Sequence, residues 1–490
     1  MAGIFIFLFY GIILYSIYFA VAKKRIKKDL NSMIFSEGRL SSKVLIPGIF
    51  NSWLWTTSII GAAEACLVYG FYGGFSFAIG RGIGVGAAVF LVVKFRKIMN
   101  GHIFITDFAR GRFCKNTEFL FFSAIILLVS YAIVEQAVGV GSFFSALFGL
   151  PFKETAFIAI AAAFVFVVFA GFKGVVWNDI LSFIAIIFSM VCLMVFICRN
   201  FEAFDFIKNL YKIEFAPGQE NAGFLSPSLC LRYGISAALI AFSHMLLDPA
   251  YYLKAHVAKD EKTFIKSFFV GGIVLWIPFV IVSSLIFGYV LTGFGASYQT
   301  SMSMGKIISE TFINGSSAFI IRLLFGIFIM LIAFTSMINS IMGVWGISSL
   351  KIYPKYANDE ADNMQKLNYG ALLTAIIALI CALISISLEQ ISLFTIDSFS
   401  GIFFSTPAGI LLCGFYGKKQ YGTWAVYALV AGLVSGFVVW IYFKSTTVGY
   451  FYATVASFFV PMVMLFVMSK IKKSDDFNFA SLKFDNNFNK

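Results

Sequence analysis

The chain has 490 residues, 60% of them hydrophobic and 12% charged, with a mean hydropathy of +0.89 and a formal net charge of +13. Repeated apolar runs of about 20 residues are long enough to cross the roughly 30 Å hydrocarbon core of a bilayer, which excludes an ordinary soluble domain. A β-barrel is excluded too: residues 157–169 and 180–198 are continuously apolar instead of alternating, so the spans are helices that satisfy their own backbone.

The reading is an all-α polytopic membrane protein with about 13 transmembrane helices. They are expected near 2–21, 46–68, 73–95, 118–147, 153–172, 178–198, 232–252, 265–293, 317–345, 367–388, 391–415, 421–443 and 448–470. The first is followed by Lys23, Lys24, Arg25, Lys27 and Lys28 and lacks a small-residue cleavage site, so it reads as a retained helix. Cytoplasmic loops are enriched in lysine and arginine. With that cluster inside, alternation places most of the 37 lysines and arginines on the cytoplasmic side, the N-terminus outside and the C-terminus in the cytoplasm. The positive charge then reflects topology and contact with anionic membrane lipids, and no nucleic acid is implied.

The longest hydrophilic stretches are 201–230 and the 474–490 tail, which reads as disordered. Neither is long enough to be a catalytic domain, so the chain is not expected to be an enzyme, and no obligate protein partner is implied. Seven cysteines include no CxxC pair and no zinc-ligand spacing.

The chemistry must therefore lie inside the bundle. In the second span, Thr56, Thr57 and Ser58 precede Gly61 and Glu64, a pattern suited to a helix interrupted at mid-depth, whose freed carbonyls can hold a cation. The alternative is a continuous helix whose hydroxyls bond back to their own carbonyls. In the ninth span, Thr335 and Ser336 offer two hard oxygen ligands from one turn, the kind sodium prefers. Small polar residues also serve close helix packing, and either reading suits the segment alone.

A longer pattern runs through the chain. Ala170-Gly-Phe-Lys-Gly-Val-Val-Trp-Asn-Asp-Ile-Leu-Ser182 resembles the signature of the sodium:solute symporter family, a glycine-rich loop leading into Trp-Thr-Asp and a helix. Ile105-Thr-Asp-Phe108 with Arg112-Phe113, Glu135-Gln136 with Gly139 and Gly141, Asp248 followed by Lys254-Ala255 and Ala258-Lys259, Pro407 to Gly414, and Gly417-Lys-Lys-Gln-Tyr-Gly422 follow in family order. The family usually has Gln in place of Ser182, Gln-Arg in place of Leu253-Lys254 and Asp-Ile-Tyr in place of Lys351-Ile-Tyr353, so the chain resembles a divergent bacterial member.

The resemblance implies a LeuT-type five-plus-five inverted repeat: an extra N-terminal helix and basic loop (1–45), a first repeat (46–198), a second repeat (232–415), two C-terminal helices (416–473) and the tail. It implies that the broken second and seventh helices cradle the solute. A coupling sodium ion would take carbonyls of Thr57, Ile60 and Ile332 and hydroxyls of Thr335 and Ser336. A slipped register anchored on Asn339 and Ser340 would put Ile332 and Ala333 at the hydroxyl positions and argue for proton-coupled or uncoupled transport. Asp179 falls where the family has an acid near the ion's inward exit; a helix N-cap is its other role.

Glu64, Arg81, Glu135, His244, Asp248 and Asp397 all fall within expected spans, where an unpaired charge is expensive, so partners are expected among them; Arg81 with Glu64 or Glu135 is one pairing. Together with Gln136 and the aromatics Trp53 and Trp55 they are the candidate solute or gating residues. They suit a small polar or charged organic solute, or else structural pairing between helices. The expected function is sodium-coupled symport by alternating access in a bacterial inner membrane. The alternatives are proton coupling through Glu64 or Asp397, a solute sensor without transport, and a proton-relay subunit. The last would want buried lysines, which the sequence places almost wholly in loops. A membrane acyltransferase would need more than His102, His244 and His256.

Overall fold

A computed structural model of the chain describes residues 11, 30–35, 39–69, 72–99, 103–200, 227–293, 305–306, 308–309, 316–352, 362–389, 391–443, 447–472 and 474–484. Among these, β-pairing is limited to two isolated bridges, Leu40 with Ala258 and Lys419 with Asp476. The expected first span and its basic cluster lie outside the described residues, as does most of 201–230.

Helix α1 (Leu30–Phe35) precedes α2 (Ser42–Trp53) and α3 (Ile60–Tyr69), which a 3-10 turn at Thr56–Ser58 separates. Then come α4 (Tyr72–Ile98), the short α5 (Ile105–Arg112), α6 (Lys115–Phe148) and α7 (Phe152–Asn200). The second half of the chain holds α8 (Pro227–Leu247), α9 (Pro249–Val257), α10 (Glu261–Phe269), a π-helical segment Val270–Leu275, α11 (Trp276–Gly293) and α12 (Ser316–Ile347). It closes with α13 (Asn363–Ile386), α14 (Leu393–Tyr416), α15 (Trp424–Tyr442), α16 (Thr447–Ile471) and the single turn α17 (Ser481–Phe484).

Among the described residues nine helices are long and apolar enough to cross a membrane, and ten if the pair 42–53 and 56–66, bent by 80°, is one span. The expected count of thirteen differs for identifiable reasons. The stretches 153–172 and 178–198 are two helices that meet without a loop in α7, at a kink at Gly171, whose φ of 59° is a conformation that glycine adopts without a Cβ clash. Helix α8 ends at Leu247 and not near 252 because the chain breaks at Asp248, whose carboxylate accepts the Ala250 N–H at 2.8 Å while Pro249 starts α9 at a position that needs no donor.

The outer surface is apolar along helical stripes, such as Leu372, Ile376, Leu379 and Leu383 on α13, while Glu135, Gln136, Asp179 and Arg81 are buried. Apolar outside with charge inside is the distribution a lipid solvent selects. Within the bundle α4 and α8 touch backbone to backbone, because Gly80 and Gly84 present no Cβ to the carbonyls of Gly234 and Ala238.

The tail departs from its expected disorder over 474–484. Gln420 N donates to Asp475 O at 2.9 Å, Phe477 N to Lys418 O at 2.6 Å, and Lys419 pairs with Asp476 at 3.0 Å. Leu482 is buried against Gly111 of α5. Phenylalanines at 477 and 479 give an otherwise polar tail something to bury.

Candidate solute and ion site

The site is built around the interruption of the second apolar stretch. At Leu54 and Trp55 the backbone is extended (ψ 92° and 165°), which takes the intervening peptide groups out of the helix. Those groups find partners nearby: Thr56 N donates to Gln136 Oε1 at 2.9 Å, Trp55 N to Ser58 Oγ at 3.2 Å, and Trp55 Nε1 to Ser52 O at 2.7 Å. Helices α6, α12 and α14 pack against the turn. Thr57 sits on it and Ile60 opens α3 just after it, both fully buried, and the Thr57 hydroxyl has no hydrogen-bond partner.

On α12 the expected hydroxyl pair divides in two directions. Thr335 Oγ1 donates to Asp179 Oδ1 at 3.0 Å and accepts from Asn178 Nδ2 at 3.1 Å. Ser336 Oγ donates back to its own helix, to Ile332 O at 2.9 Å and Ala333 O at 3.0 Å. The oxygen donors a hard cation wants are thus at hand on α12 and on the turn, with the Ser336 and Thr335 lone pairs still open to a further partner.

Asp179 is no helix cap. It lies well inside α7, beyond the Gly171 break, and anchors a buried polar network. Asn339 Nδ2 donates to its Oδ1 at 2.9 Å, Asn51 Nδ2 to its carbonyl at 2.6 Å, and the Lys254 ammonium stands 3.6 Å from Oδ2. Lys254 also donates to Gly48 O at 2.6 Å and to Ser52 Oγ. The sequence reading left Lys254 in a cytoplasmic loop, but the restart of helix at Pro249 carries it inside, where it is 2% exposed.

The second group of charges pairs differently from expectation. Arg81 on α4 binds Asp397 on α14, not Glu64 or Glu135, and its guanidinium lies 4.4 Å from the Phe77 ring centroid. Glu64 Oε2 accepts the Phe394 N–H at 2.9 Å and so ties α3 to the start of α14. Asp248 caps α9. Glu135, fully buried on α6, makes no hydrogen bond of good geometry through either carboxylate oxygen; Tyr131 and the Thr57 backbone are its polar neighbours, with Arg81 and Asp397 within electrostatic reach.

Aromatic rings line the same region. Trp55 stacks on His244 (5.6 Å, 22°) and approaches Tyr131 at 6.1 Å, while Phe404 closes on His244 at 5.2 Å. His244 Nε2 meets Ser400 Oγ at 3.1 Å, and its Nδ1 has no partner. Trp53 lies 6.1 Å from Tyr251, and Trp53 Nε1, Gln136 Nε2 and the Tyr251 hydroxyl are also buried without partners. Buried polar atoms in folded proteins are nearly always bonded, so these are open to a further partner.

Sequence reasoning missed Tyr131, Asn178, Tyr251 and Lys254 as members of these networks and named Asn339 only as an anchor of the slipped register. Tyr131 is one turn before Glu135 on the same helix face, a usable signal. Tyr251 and Lys254 become members only through the α8–α9 break.

A family model described as the sodium:solute symporter family matches residues 34–432. Among solved structures, a Na+-coupled sialic acid symporter in a substrate-bound outward-open state superposes with a TM-score of 0.75 at 12% identity, covering 96% of this chain and 98% of that one. Mhp1, a nucleobase-cation-symport-1 family transporter closed on bromovinylhydantoin, gives 0.58 at 12% identity, with 93% and 98% covered. MhsT in complex with L-phenylalanine gives 0.53 at 14% identity, with 88% and 98% covered. These likenesses establish a shared fold. No curated protein matches the sequence.

Proposed function

Because the chain belongs to the sodium:solute symporter family, we propose that it couples inward sodium movement to uptake of a small polar or charged organic solute by alternating access about the α2–α3 break. The observation that carries this reading is the meeting, at one interrupted helix, of oxygen donors on the turn and on α12 with a buried charged and aromatic cluster. The ion would use the carbonyls of Thr57, Ile60 and Ile332 and the hydroxyls of Thr335 and Ser336. The solute would lie among Trp53, Trp55, Arg81, Glu135, Gln136, His244 and Asp397, with Asp248 holding the α8–α9 break. Asp179, paired with Lys254, would stand on the ion's inward path.

The mechanism is a coupling free energy between two ligands: each binds the outward-facing state better when the other is bound, and the effect is reciprocal. The two broken stretches, α2–α3 and α8–α9, are where a five-plus-five inverted repeat would put its first helices. The N-terminus outside, the cytoplasmic C-terminus and the bacterial inner membrane follow from the distribution of lysine and arginine and from the family. Proton coupling through Glu64 or Asp397 is the weaker reading, because Glu64 is engaged by Phe394 N and Asp397 by Arg81.

Thermal denaturation of purified protein in sodium against potassium tests the ion site, and solute uptake into proteoliposomes tests turnover. Sodium-specific stabilisation absent from the Thr335→Ala, Ser336→Ala double variant is the expected result. A wild type indifferent to sodium well above millimolar concentration ends the sodium reading, and binding without accumulation would make the chain a sensor.

A further inference from the structure

Three charged side chains share the buried space beside the turn, and their signs do not balance. Arg81 is committed to Asp397, and Tyr131 Oη also donates to Asp397 Oδ1 at 3.3 Å. That leaves Glu135, 0% exposed, with two acceptor oxygens, no well-formed hydrogen bond and no cation of its own. The groups facing it are Tyr131 on its own helix, Arg81 on α4, Asp397 on α14 and the Thr57 backbone on the turn. His244 on α8 stacks its ring on Trp55 and makes its one hydrogen bond to Ser400.

A buried carboxylate with no cation paired to it, and only Tyr131 and the Thr57 N–H as donor neighbours, is unfavourable until a cation or a proton neutralises it. Ionised, it is an acceptor only, so its complement is a positive group that also donates hydrogen bonds. The ring of Tyr131 next to Glu135, with that of Trp55 6.1 Å from it, suits a cation as well. The donors left without partners at Trp53 Nε1, Gln136 Nε2 and Tyr251 Oη call for acceptor oxygens elsewhere on the same molecule. We infer that the transported solute carries a protonated amino group with N–H donors, which binds Glu135, and acceptor oxygens that meet the donors around Trp53. This rests on the solute site proposed above and narrows its class to N–H cations, apart from quaternary amines, organic anions and neutral sugars.

The test uses the full-length detergent-purified protein with methylammonium chloride and tetramethylammonium chloride as probes, in constant sodium and at matched ionic strength, read as melting temperature. Methylammonium should raise the wild-type melting temperature saturably, and tetramethylammonium should not. Glu135→Gln should need at least tenfold more methylammonium for the same shift, and Glu135→Asp should keep the preference for methylammonium. Equal responses to the two cations, or an unchanged response in Glu135→Gln, overturns the inference; so does stability that follows pH with no methylammonium effect, which makes Glu135 a proton carrier. Should Glu135→Gln not fold, the contrast between the two cations in wild type still decides. A missing sodium response in wild type defeats the symport reading, whereas a sodium response without the methylammonium contrast defeats this inference alone.

Discussion

Lys254 and Asp179 face each other inside the protein, ammonium to carboxylate at 3.6 Å, while the ammonium donates to the Gly48 carbonyl and the Asn339 amide donates to the carboxylate. The pair joins α9, the restarted half of one broken span, to α7, and through Gly48 and Ser52 it reaches α2, the first half of the other. Any movement of the two broken spans relative to α7 must therefore act on this contact.

Removing one partner leaves the other buried and uncompensated, at a cost of about 3–5 kcal/mol. Lys254→Met alone is expected near that range, softened because Thr335 and Asn339 still donate to Asp179. Asp179→Asn strands the ammonium and is expected to be comparable. Lys254→Met with Asp179→Asn should recover much of the loss, since neither charge then remains. Denaturation midpoints of the four proteins check this; additive losses in the double variant would mean that the two residues are not coupled.

Arg81 makes an asymmetric prediction. Its loss in Arg81→Met leaves two buried acids, Asp397 and Glu135, whereas Asp397→Asn leaves the guanidinium with Glu135 within electrostatic reach. Arg81→Met should therefore destabilise more than Asp397→Asn, by about 1–3 kcal/mol if a surviving charge-assisted hydrogen bond makes the difference. Adding Glu135→Gln to Asp397→Asn should then remove the advantage. Chemical denaturation of all three variants measures it, and equal midpoints for the first two would sink the argument.

How much of this was legible in the sequence depends on distance along the chain. The helix break was signalled locally, by Thr56, Thr57 and Ser58 ahead of Gly61. The partner of Arg81 was not, because Asp397 is 316 positions away and nothing between them states which acid α14 will turn inward. Lys254 was misassigned for a local reason: the span was carried through Asp248-Pro249 to about 252, leaving Lys254 just past its end, whereas the chain breaks there and restarts as α9, packed against α12. The tail was read from its polar composition, which weighs Phe477 and Phe479 too little once an arginine waits for them.

That arginine is Arg112, at the end of α5. Its guanidinium donates to Gly414 O and Gly417 O at 2.8 Å and to Lys419 O at 2.9 Å, and the rings of Phe477, Tyr421 and Phe479 lie 4.1, 4.9 and 5.4 Å from it. One planar fork thus serves the end of α14 and holds the tail, a geometry a lysine cannot copy. Phe477→Ala with Phe479→Ala should release the tail at a cost of about 0.5–2 kcal/mol while leaving the α14 end intact. Arg112→Lys should loosen both. Hydrogen exchange at Gln420 and Phe477, whose amides bond across the tail, reports the difference; unchanged protection in the double phenylalanine variant would refute the clamp.

The two hydroxyls on α12 make separable predictions because they spend their hydrogen bonds differently. In potassium, Thr335→Ala removes a donor from buried Asp179 and should cost about 1–3 kcal/mol. Ser336→Ala gives up only bonds to its own helix, which help a helix little, and should be close to neutral. Sodium adds a second term. A ligand that binds only the folded state stabilises it by RT ln(1 + [L]/Kd), about 2.7 kcal/mol at a hundredfold excess over Kd. Both alanine variants should shrink that increment, so Ser336→Ala would look like wild type in potassium and unlike it in sodium. Titrating sodium at constant ionic strength and following the melting temperature separates the two terms. If Ser336→Ala follows the wild-type curve throughout, its hydroxyl is packing between helices and the ion is held without it.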